Sequence, residues 1–297
     1  HPYQRQKIRK EVQRYEYQIL FNDKEVCNML CIGINVPMPR SYAVVETGSN
    51  YIEIIKNTFR EFNVDEIIIK PIMGHAGRGI VMARRLDDRL IIINNKEVIE
   101  LKNYKLKEKS LLQEVIKQHD RLSNISSSSV NTVRVVTLYT KYHEVLIISS
   151  SMRFGVGDAF VDNWSAGGVA VGVDLKTGQL MENAYDKLGN RYERHPISQT
   201  VFRGYQIPYW EDILKMASMI QKRFSFYRLL GMDIAITKKG PVLIEINANP
   251  DIIFQEQTSG PLLADAKIIR EFEKYDLLIN QYQKRIISDY STSISNG

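Results

Sequence analysis

The segment from Gly231 to Pro250 constrains the fold of this chain more than any other, because its pattern predicts a β-hairpin with one polar face. In the run VLIEIN, Glu245 and Asn247 are two residues apart, so a strand places both side chains on one face. The positions expected on the opposite face are Val242, Ile244 and Ile246. Asp233 lies on the preceding strand, MDIAIT, and KKG makes the turn between the strands.

Two carboxylates and an amide oxygen on one face form a hard-oxygen site of the kind that Mg²⁺ occupies in proteins. Because Mg²⁺ commonly completes its coordination with substrate phosphates, the hairpin predicts a phosphate-bearing substrate. The alternative is an amphipathic hairpin whose polar face simply meets water.

The composition predicts an ordinary globular protein. A chain of 297 residues with 44% hydrophobic content is long enough for one large core, and two lobes are expected. Forty Lys and Arg against 34 Asp and Glu leave a net charge of +6, a modest excess that suits a phosphate-bearing or acidic substrate. No recognition module for nucleic acid is present, so we expect no nucleic-acid partner. No apolar run approaches the roughly 18 residues of a membrane helix, and the first residues lack the apolar stretch of a signal peptide.

The two cysteines, Cys27 and Cys31, lie four residues apart in a segment that predicts a helix, so they share one helix face. A zinc site needs two further ligands, and no other cysteine or histidine is near in sequence. We therefore expect buried thiols, which fit a reducing cytoplasm.

The first part of the chain predicts helices. Residues 5–20 carry Ile8, Val12, Tyr15 and Ile19 at helical spacing among charged residues, which is typical of an amphipathic surface helix. This helix is a candidate for packing, or for contact with a partner protein or a membrane surface. Further helices are expected from a cap at Asn22 or Asp23 to Leu30, and from Tyr51 to Phe62.

A buried strand, DEIIIKP, brings Lys70 to the start of the glycine-rich run MGHAGRGIVMARR. Gly74, Gly77 and Gly79 allow this run to close over phosphates with its backbone N–H groups, beside the Lys70 cation. A strand follows the last glycine, whereas in the P-loop pattern Lys and Ser or Thr follow it and a helix opens. The alternative is a plain turn between two strands.

Two arginines on predicted strands are candidates for clamping an anion. Arg134 lies in NTVRVVTLYT and Arg153 at the end of the next strand, and each suits bidentate binding of a phosphoryl group or a carboxylate. Gly167 and Gly168, in DNWSAGGVAVGVD, have N–H groups that are candidates for stabilising an oxyanion. Structural salt bridges and a tight turn are the respective alternatives.

His195 precedes Pro196 and, as a lone histidine, is most simply a surface residue, with substrate contact as the alternative. We expect Trp164 and Trp210 to pack in the core or an interface, with stacking on a sugar as the alternative.

The order of these parts is a lysine strand, a glycine loop, paired strands, the QEVI segment and a final acidic pair with asparagine. It resembles the ATP-grasp superfamily, in particular its sugar-transfer-associated members from surface-polysaccharide loci. The resemblance runs from about Asp23 to Leu278 and is strongest in IIIKPIMGHAGRGI, SSVNTVRVVT, DNWSAGGVAVGVD and GMDIAITKKGPVLIEINANP. It implies an α+β fold with two α+β lobes that clasp a nucleotide.

The resemblance divides the chain into a helical N-terminal extension, residues 1–48, and a small lobe, residues 49–118. A large lobe with the metal site follows over residues 119–288, and residues 289–297, which are rich in Ser and Thr, are expected to form a flexible tail. Most relatives carry a complete α/β domain where only the short extension precedes Tyr51 in this chain.

The resemblance also implies ATP and Mg²⁺ as cofactors. The positions that it assigns to the nucleotide are Lys70, Gly74, His75, Gly77, Gly79, Gln113, Glu114, Val115, Ile116 and Asp120. Lys70 would bind phosphates under the lid Gly74 to Gly79, the segment Glu114 to Ile116 would contact adenine through its backbone, and Asp120 would hold the ribose hydroxyls.

Asp233, Glu245 and Asn247 match the magnesium ligands of the family in type, order and spacing. The implied activity is ATP-dependent carboxylate–amine ligation through an acyl phosphate, with small-molecule substrates, one of them a sugar or glycan precursor. A kinase that phosphorylates a hydroxyl and a non-catalytic nucleotide-binding module are the alternatives.

Overall fold

Two antiparallel β-sheets organise the chain in a computed structural model, which describes residues 10–74, 77–94, 97–157, 167–262 and 265–274. Ile8, His75, Trp164 and the predicted tail 289–297 lie outside the described residues. The α-helices are α1 (Ile19–Asn22), α2 (Lys24–Gly33), α3 (Tyr51–Glu61), α4 (Asp120–Ser123), α5 (Trp210–Arg223), α6 (Ile252–Ser259) and α7 (Ala266–Glu273), with 3₁₀ turns at Tyr15–Tyr17 and Leu101–Asn103. Among the helices in these ranges, none has the length and apolar character needed to cross a membrane.

The first sheet forms the small lobe. Its strands are β1 (Ser41–Val45), β2 (Glu66–Pro71), β3 (Val81–Leu86), β4 (Arg89–Asn94), β5 (Glu97–Glu100) and β6 (Ser110–Glu114), in the spatial order β1-β6-β2-β3-β4-β5. Ile55 and Phe59 of α3 share a buried cluster with Ile67 and Ile69 of β2. The predicted strand DEIIIKP and the helix from Tyr51 are therefore confirmed, and together they make the core that holds Lys70 at the strand end.

The second sheet forms the large lobe. Its strands are β7 (Thr132–Tyr139), β8 (Val145–Phe154), β9 (Val169–Val173), β10 (Leu180–Tyr185), β11 (Arg191–Tyr192), β12 (Leu229–Thr237) and β13 (Gly240–Asn247), in the spatial order β11-β10-β9-β8-β7-β12-β13. Val133 and Val135 point into the main core with Ile213 and Ile220 of α5. Arg134, which alternates with these valines, therefore lies on the opposite face of the sheet.

A β-bulge interrupts the predicted hairpin between β12 and β13. Asp233 pairs with Glu245, whereas the next residue of β12, Ile234, pairs with Leu243, so Ile244 is the extra residue. The prediction that Val242 and Ile244 share the face of Ile246 was wrong, because the bulge shifts the alternation and puts Leu243 in the core beside Ile246. Asp233 and Glu245 lie on one face, as predicted, and the bulge makes them direct cross-strand neighbours.

The start of the chain differs from the predicted amphipathic helix. Residues 10–12 are helical, as predicted, but a 3₁₀ turn at Tyr15–Tyr17 and the separate helix α1 follow them in place of a continuous helix. Of the predicted stripe, Val12 is 1% exposed, whereas Tyr15 is 83% exposed and Ile19 51% exposed. The segment is held to its own chain, since Gln13 Nε2 donates to the carbonyl oxygen of Ala248 at 2.8 Å.

The predicted cap of α2 is confirmed. Asp23 Oδ1 accepts hydrogen bonds from the backbone N–H groups of Glu25 and Val26. The prediction of buried thiols also holds, because Cys27 and Cys31 are both buried. Their mutual contact and burial raise the pKa of the Cys31 thiol, which leaves it neutral and unreactive.

Candidate active site between the two sheets

Asp233 is the centre of a buried charge cluster on the large sheet. Arg134 lies opposite it on β7 and binds both carboxylate oxygens, Nε to Oδ1 and Nη2 to Oδ2, the latter at 2.8 Å. Arg153 Nη2 reaches Oδ2 at 3.0 Å. The two predicted arginines are therefore brought together, and both point toward a predicted metal ligand.

Burial alone would raise the pKa of the Asp233 carboxyl, but the charges of Arg134 and Arg153 outweigh it and hold the pKa at about 2. Asp233 is consequently ionised throughout the physiological range. Its Oδ2 accepts from Arg134 Nη2 and from Asn247 Nδ2, the latter at 3.3 Å, and forms an ion pair with Arg153, whereas Oδ1 accepts from Arg134 Nε. Oδ1 thus retains a lone pair for a cation.

Glu245 and Asn247 complete the donor set on the same face. Glu245 lies across the ladder from Asp233, and Asn247 is two residues further along β13. With Nδ2 directed at Asp233, Asn247 keeps its Oδ1 as an acceptor. Within the described ranges no cluster of three His, Cys, Asp or Glu residues is close enough to hold a metal, so a site at this position depends on the asparagine oxygen.

Lys70 faces this donor set from the small sheet. It lies at the end of β2, is 7% exposed, and lines a narrow cavity together with Glu245 and Ile244. In the part of the chain that the structure describes, its ammonium group makes no hydrogen bond or ion pair. Burial lowers the pKa of Lys70 to about 8, although the Glu245 carboxylate acts in the opposite direction.

A buried ammonium without a partner is costly, and such groups are typically retained where an anion binds. The cavity beside Lys70 is therefore the strongest candidate for a phosphate site in the described structure.

Lys24, which the sequence did not single out, lies on the same cavity. It is the first residue of α2, and its ammonium group donates to the carbonyl oxygen of Gly74 at 2.7 Å. Its charge also lowers the pKa of Lys70, so the two ammonium groups are close. The sequence indicated only that Lys24 follows the capping residues Asn22 and Asp23 at the start of a helix. Because lysines at such positions are common on protein surfaces, this pattern did not point to the cavity.

The glycine-rich loop follows Lys70, and Gly77 and Gly79 both have positive φ, 68° and 76°. A Cβ on Gly79 would lie 2.9 Å from Pro71 Cγ, so this position requires glycine. Gly74 accepts the hydrogen bond from Lys24. His75, predicted in the same loop, is outside the described residues.

The predicted adenine segment is tied to the loop that precedes β1. Gln113 Nε2 donates to the carbonyl oxygen of Pro39 at 3.3 Å, and the Glu114 N–H donates to the carbonyl oxygen of Arg40 at 2.9 Å. Val115 and Ile116 are half-buried. The contacts of Gln113 and Glu114 hold the start of this segment, which connects the small lobe to the large lobe, against the loop before β1.

Asp120 is exposed at the start of α4, where Lys238 Nζ approaches its Oδ2 at 2.8 Å. Because Lys238 belongs to the turn between β12 and β13, this ion pair joins the end of the predicted adenine segment to the metal hairpin.

Gly167 and Gly168 lie beside the end of β8 that carries Arg153, because Phe154 of β8 pairs with Val169 of β9. Gly167 has a φ of 97° and Gly168 follows it into β9, so the glycines begin the return of the chain to the sheet. His195 is 2% exposed, which overturns its prediction as a surface histidine. Trp210 is 6% exposed and packs against Gly178, as expected of a core tryptophan.

A family model described as sugar-transfer associated ATP-grasp matches residues 3–269, nearly the whole chain. The chain belongs to the sugar-transfer associated ATP-grasp family. This confirms the resemblance found in the motifs and the predicted α+β ATP-grasp fold. Comparison with curated proteins gives no match.

The chain is similar to several solved structures. The biotin carboxylase domain of 2-oxoglutarate carboxylase from Hydrogenobacter thermophilus, solved with magnesium ADP and bicarbonate, matches at 15% identity and a TM-score of 0.50, over 89% of this chain and 47% of that chain. N5-carboxyaminoimidazole ribonucleotide synthetase from Thermotoga maritima matches at 12% identity and a TM-score of 0.44, over 78% and 43%. D-alanyl-alanine synthetase A from Vibrio cholerae matches at 10% identity and a TM-score of 0.45, over 94% and 66%. The chain spans about half the length of the first two structures.

Proposed function

We propose that this ATP-grasp protein is an ATP-dependent carboxylate–amine ligase. The observation that supports it best is the narrow cavity between the sheets, where Lys70, whose ammonium group pairs with none of the described residues, and the carboxylate of Glu245 line the same space. A cation for phosphate and an oxygen donor for a metal on opposing walls suit a magnesium–nucleotide complex.

The donor set of the hairpin fits Mg²⁺. Glu245, Asn247 Oδ1 and the remaining lone pair of Asp233 Oδ1 are hard oxygen donors on one face of β12 and β13. When bound there, Mg²⁺ would neutralise charge on the β- and γ-phosphates of ATP. The described lysines near the cavity, Lys70 and Lys24, would bind the phosphate oxygens from the small-lobe side.

In the reaction, a substrate carboxylate attacks the γ-phosphorus of ATP, forming an acyl phosphate and releasing ADP. An amine then attacks the acyl carbon, inorganic phosphate leaves, and an amide and a proton are formed. The chain contributes position and charge. Asp233 orients the guanidinium of Arg134 through Nε and Nη2, which leaves Nη1 for an anionic group of the substrate.

We infer that one substrate is a sugar or a glycan-linked precursor and the other a small amino acid, in surface-polysaccharide biosynthesis. Support for this step comes from the family, whose description associates it with sugar transfer. The modest positive charge of the chain is compatible with an acidic sugar, because such a substrate brings a second anion besides ATP.

The test incubates the full chain with magnesium, ATP and pairs drawn from amino acids and from amino or uronic sugars, and follows the phosphorus species by ³¹P NMR. We expect ADP and free phosphate only where a carboxylate and an amine are both present. Glu245→Gln is the inactive control, and Glu256→Gln, the same change at an exposed position of α6, is expected to match the wild type.

ADP together with a new phosphate ester would contradict the ligase and establish a kinase. ADP formation that ignores the amine would also contradict amide synthesis, since it shows hydrolysis or phosphorylation of one substrate alone.

A further inference from the structure

Buried side chains fix the end of β8 just beyond Arg153. The N–H of Gly155 donates to Asn131 Oδ1 at 3.3 Å, and the Gly155 carbonyl oxygen accepts from Ser126 Oγ at 2.9 Å. His195 Nε2 is 3.0 Å from the same carbonyl oxygen. Three side chains, two from the loop before β7 and one from the segment around His195, thus hold one glycine, two residues after an arginine of the candidate site.

The partners of His195 select one neutral form of its ring. Its Nδ1 accepts the backbone N–H of Ser198 at 3.2 Å, so this nitrogen has no hydrogen of its own. The hydrogen is therefore on Nε2, which donates to the Gly155 carbonyl oxygen. The rings of Phe154 and Phe202 lie edge-on to the imidazole, at 6.1 Å and 6.4 Å between centroids, and close it off from water.

The same network reaches Arg153 by a second route. Asn131, which holds the Gly155 N–H, donates from Nδ2 to Gln118 Oε1 at 2.9 Å and is 0% exposed. The next residue, Thr132, accepts from Arg153 Nε at 3.1 Å through its hydroxyl oxygen. The position of Gly155 relative to Asn131 therefore sets the position of Arg153 relative to Thr132 and, at 3.0 Å, to Asp233.

We propose that His195 is a positioning residue of this ATP-grasp protein: its neutral ring holds Gly155, and through Gly155 it keeps Arg153 in place for the reaction. The proposal rests on the proposed function in assigning Arg153 to the substrate side. Protonation disturbs the arrangement, because a second ring N–H would then face the backbone N–H of Ser198, whose hydrogen bond to Nδ1 is lost, and would have only the Ser198 hydroxyl, at 3.2 Å, as an acceptor.

The surroundings of His195 shift the protonation of its ring to acidic pH. Burial lowers the pKa of His195, with only the hydrogen bond to Gly155 acting against it, so the ring is neutral at physiological pH. The groups that face the ring from β8 and from residues 198–202 are uncharged. The charged residues beside it in the chain, Glu193 and Arg194, are exposed, and Arg153 lies on the other face of β8 from Phe154.

The kinetic test compares His195→Gln, whose amide nitrogen retains a donor for the Gly155 carbonyl, with His195→Phe, which has none. His195→Phe is expected to lower kcat by about tenfold or more, with the affinity for a non-hydrolysable ATP analogue within about twofold of the wild type. His195→Gln is expected to restore most of kcat. In the wild type, kcat is expected to fall toward acidic pH as His195 becomes protonated, and the pH profile of His195→Gln should lack this acid limb. His143→Asn, at an exposed histidine, is the matched control.

A second measurement keeps the proposal testable without turnover. In the wild type, the Nε–H resonance of Arg153, identified by its loss in Arg153→Lys, is expected to shift with the ¹⁵N titration of His195. In His195→Gln it is expected to stay constant over the same pH range. Because this arm needs neither ATP nor substrates, failure of the ligase assay alone would overturn the proposed function and leave the role of His195 to be decided by NMR.

Two results would overturn the positioning role. One is an Arg153 resonance that ignores the protonation of His195 in the wild type. The other is an acid limb that persists unchanged in His195→Gln. A loss of stability in His195→Phe without either effect would mean that the ring only packs between Phe154 and Phe202.

Discussion

Lys24 and Gly74 are joined across fifty residues of sequence, with the ammonium group of Lys24 donating to the carbonyl oxygen of Gly74 at 2.7 Å. The N–H of Lys24 also donates to the carbonyl oxygen of Ile72 at 3.3 Å. The start of α2 is therefore attached to the root of the glycine-rich loop by both its backbone and its side chain. Because Phe21 and Cys27 of the same region belong to the large-lobe core, this attachment links the loop to the other sheet.

Lys24→Met is expected to weaken ATP binding. The change retains the apolar stem but removes a charge-assisted contact worth about 1.5–3 kcal/mol, which corresponds to roughly ten- to a hundredfold in Kd. Calorimetric titration with a non-hydrolysable analogue measures the effect. Lys109→Met is the control. Lys109 also contacts α2, through an ion pair with Glu25, but its side chain is half-exposed and does not line the cavity. Equal affinities for all three proteins would show that Lys24 only anchors the helix.

Lys70 predicts a pH-dependent affinity for ATP. Its pKa of about 8 in the free protein is expected to rise when phosphates bind beside it, so binding takes up a proton above pH 8. Affinity should therefore be highest below pH 8 and should fall as pH rises through 8. Calorimetry in buffers of different ionisation enthalpy measures the proton uptake directly. Lys70→Arg keeps the charge without titrating in this range and is expected to bind without uptake.

The hairpin and its polar face were predictable from local pattern, whereas its register and its partners were not. Two-residue spacing placed Glu245 and Asn247 on one face, but a regular hairpin with this turn would pair Asp233 with Ile244, and only the bulge brings Glu245 opposite Asp233. The pairing of Arg134 with Asp233 joins residues 99 positions apart and depends on β7 lying beside β12. The order of strands in the sheet determines which strands are neighbours, and the alternation of residues within one strand carries no information about that order.

The bulge at Ile244 and the burial of His195 illustrate the same limit. Alternation predicts a regular strand, and only the pairing of Leu243 with Ile234 shows that one residue is extra. His195 has polar and charged neighbours in sequence, which favour exposure, but Phe154 of β8 packs on the ring from one side and Phe202 of its own folded-back segment from another. Both departures arise from tertiary contacts.

Asp233→Asn and Glu245→Gln are expected to separate stability from activity. Asp233→Asn leaves two arginines without their anion in a buried site and is expected to lower the free energy of unfolding by about 3–5 kcal/mol. Glu245→Gln, on the half-buried rim, is expected to change it by less than about 1 kcal/mol. Urea unfolding measures both.

Turnover completes this comparison. Glu245→Gln should lower the magnesium-dependent rate by about a hundredfold or more, because a carboxylate ligand is lost. A near-normal rate would remove Glu245 from the metal site, whatever the stability data show.

Asp233 also predicts a contribution to acid stability. With a folded-state pKa of about 2, below the ordinary value of 3.8, the carboxylate stabilises the fold above pH 4. This contribution should be lost as pH falls from 4 toward 2. The measured quantity is the difference in unfolding free energy between wild type and Asp233→Asn. A difference that stays constant over that range would argue against the ion pairs with Arg134 and Arg153.

Gly155 provides a packing test of the segment that follows Arg153. A Cβ at Gly155 would lie 2.4 Å from Ser129 Oγ, a buried hydroxyl with no hydrogen-bond partner in the described structure. Gly155→Ala is therefore expected to destabilise the protein by about 1–3 kcal/mol, whereas Ser129→Ala should be close to neutral. In Gly155→Ala/Ser129→Ala the clash with the hydroxyl is absent and a 3.3 Å contact with Ser129 Cβ remains, so most of the loss should be recovered. Additive effects in this double-mutant cycle, measured by urea unfolding, would contradict the close approach of residues 129 and 155.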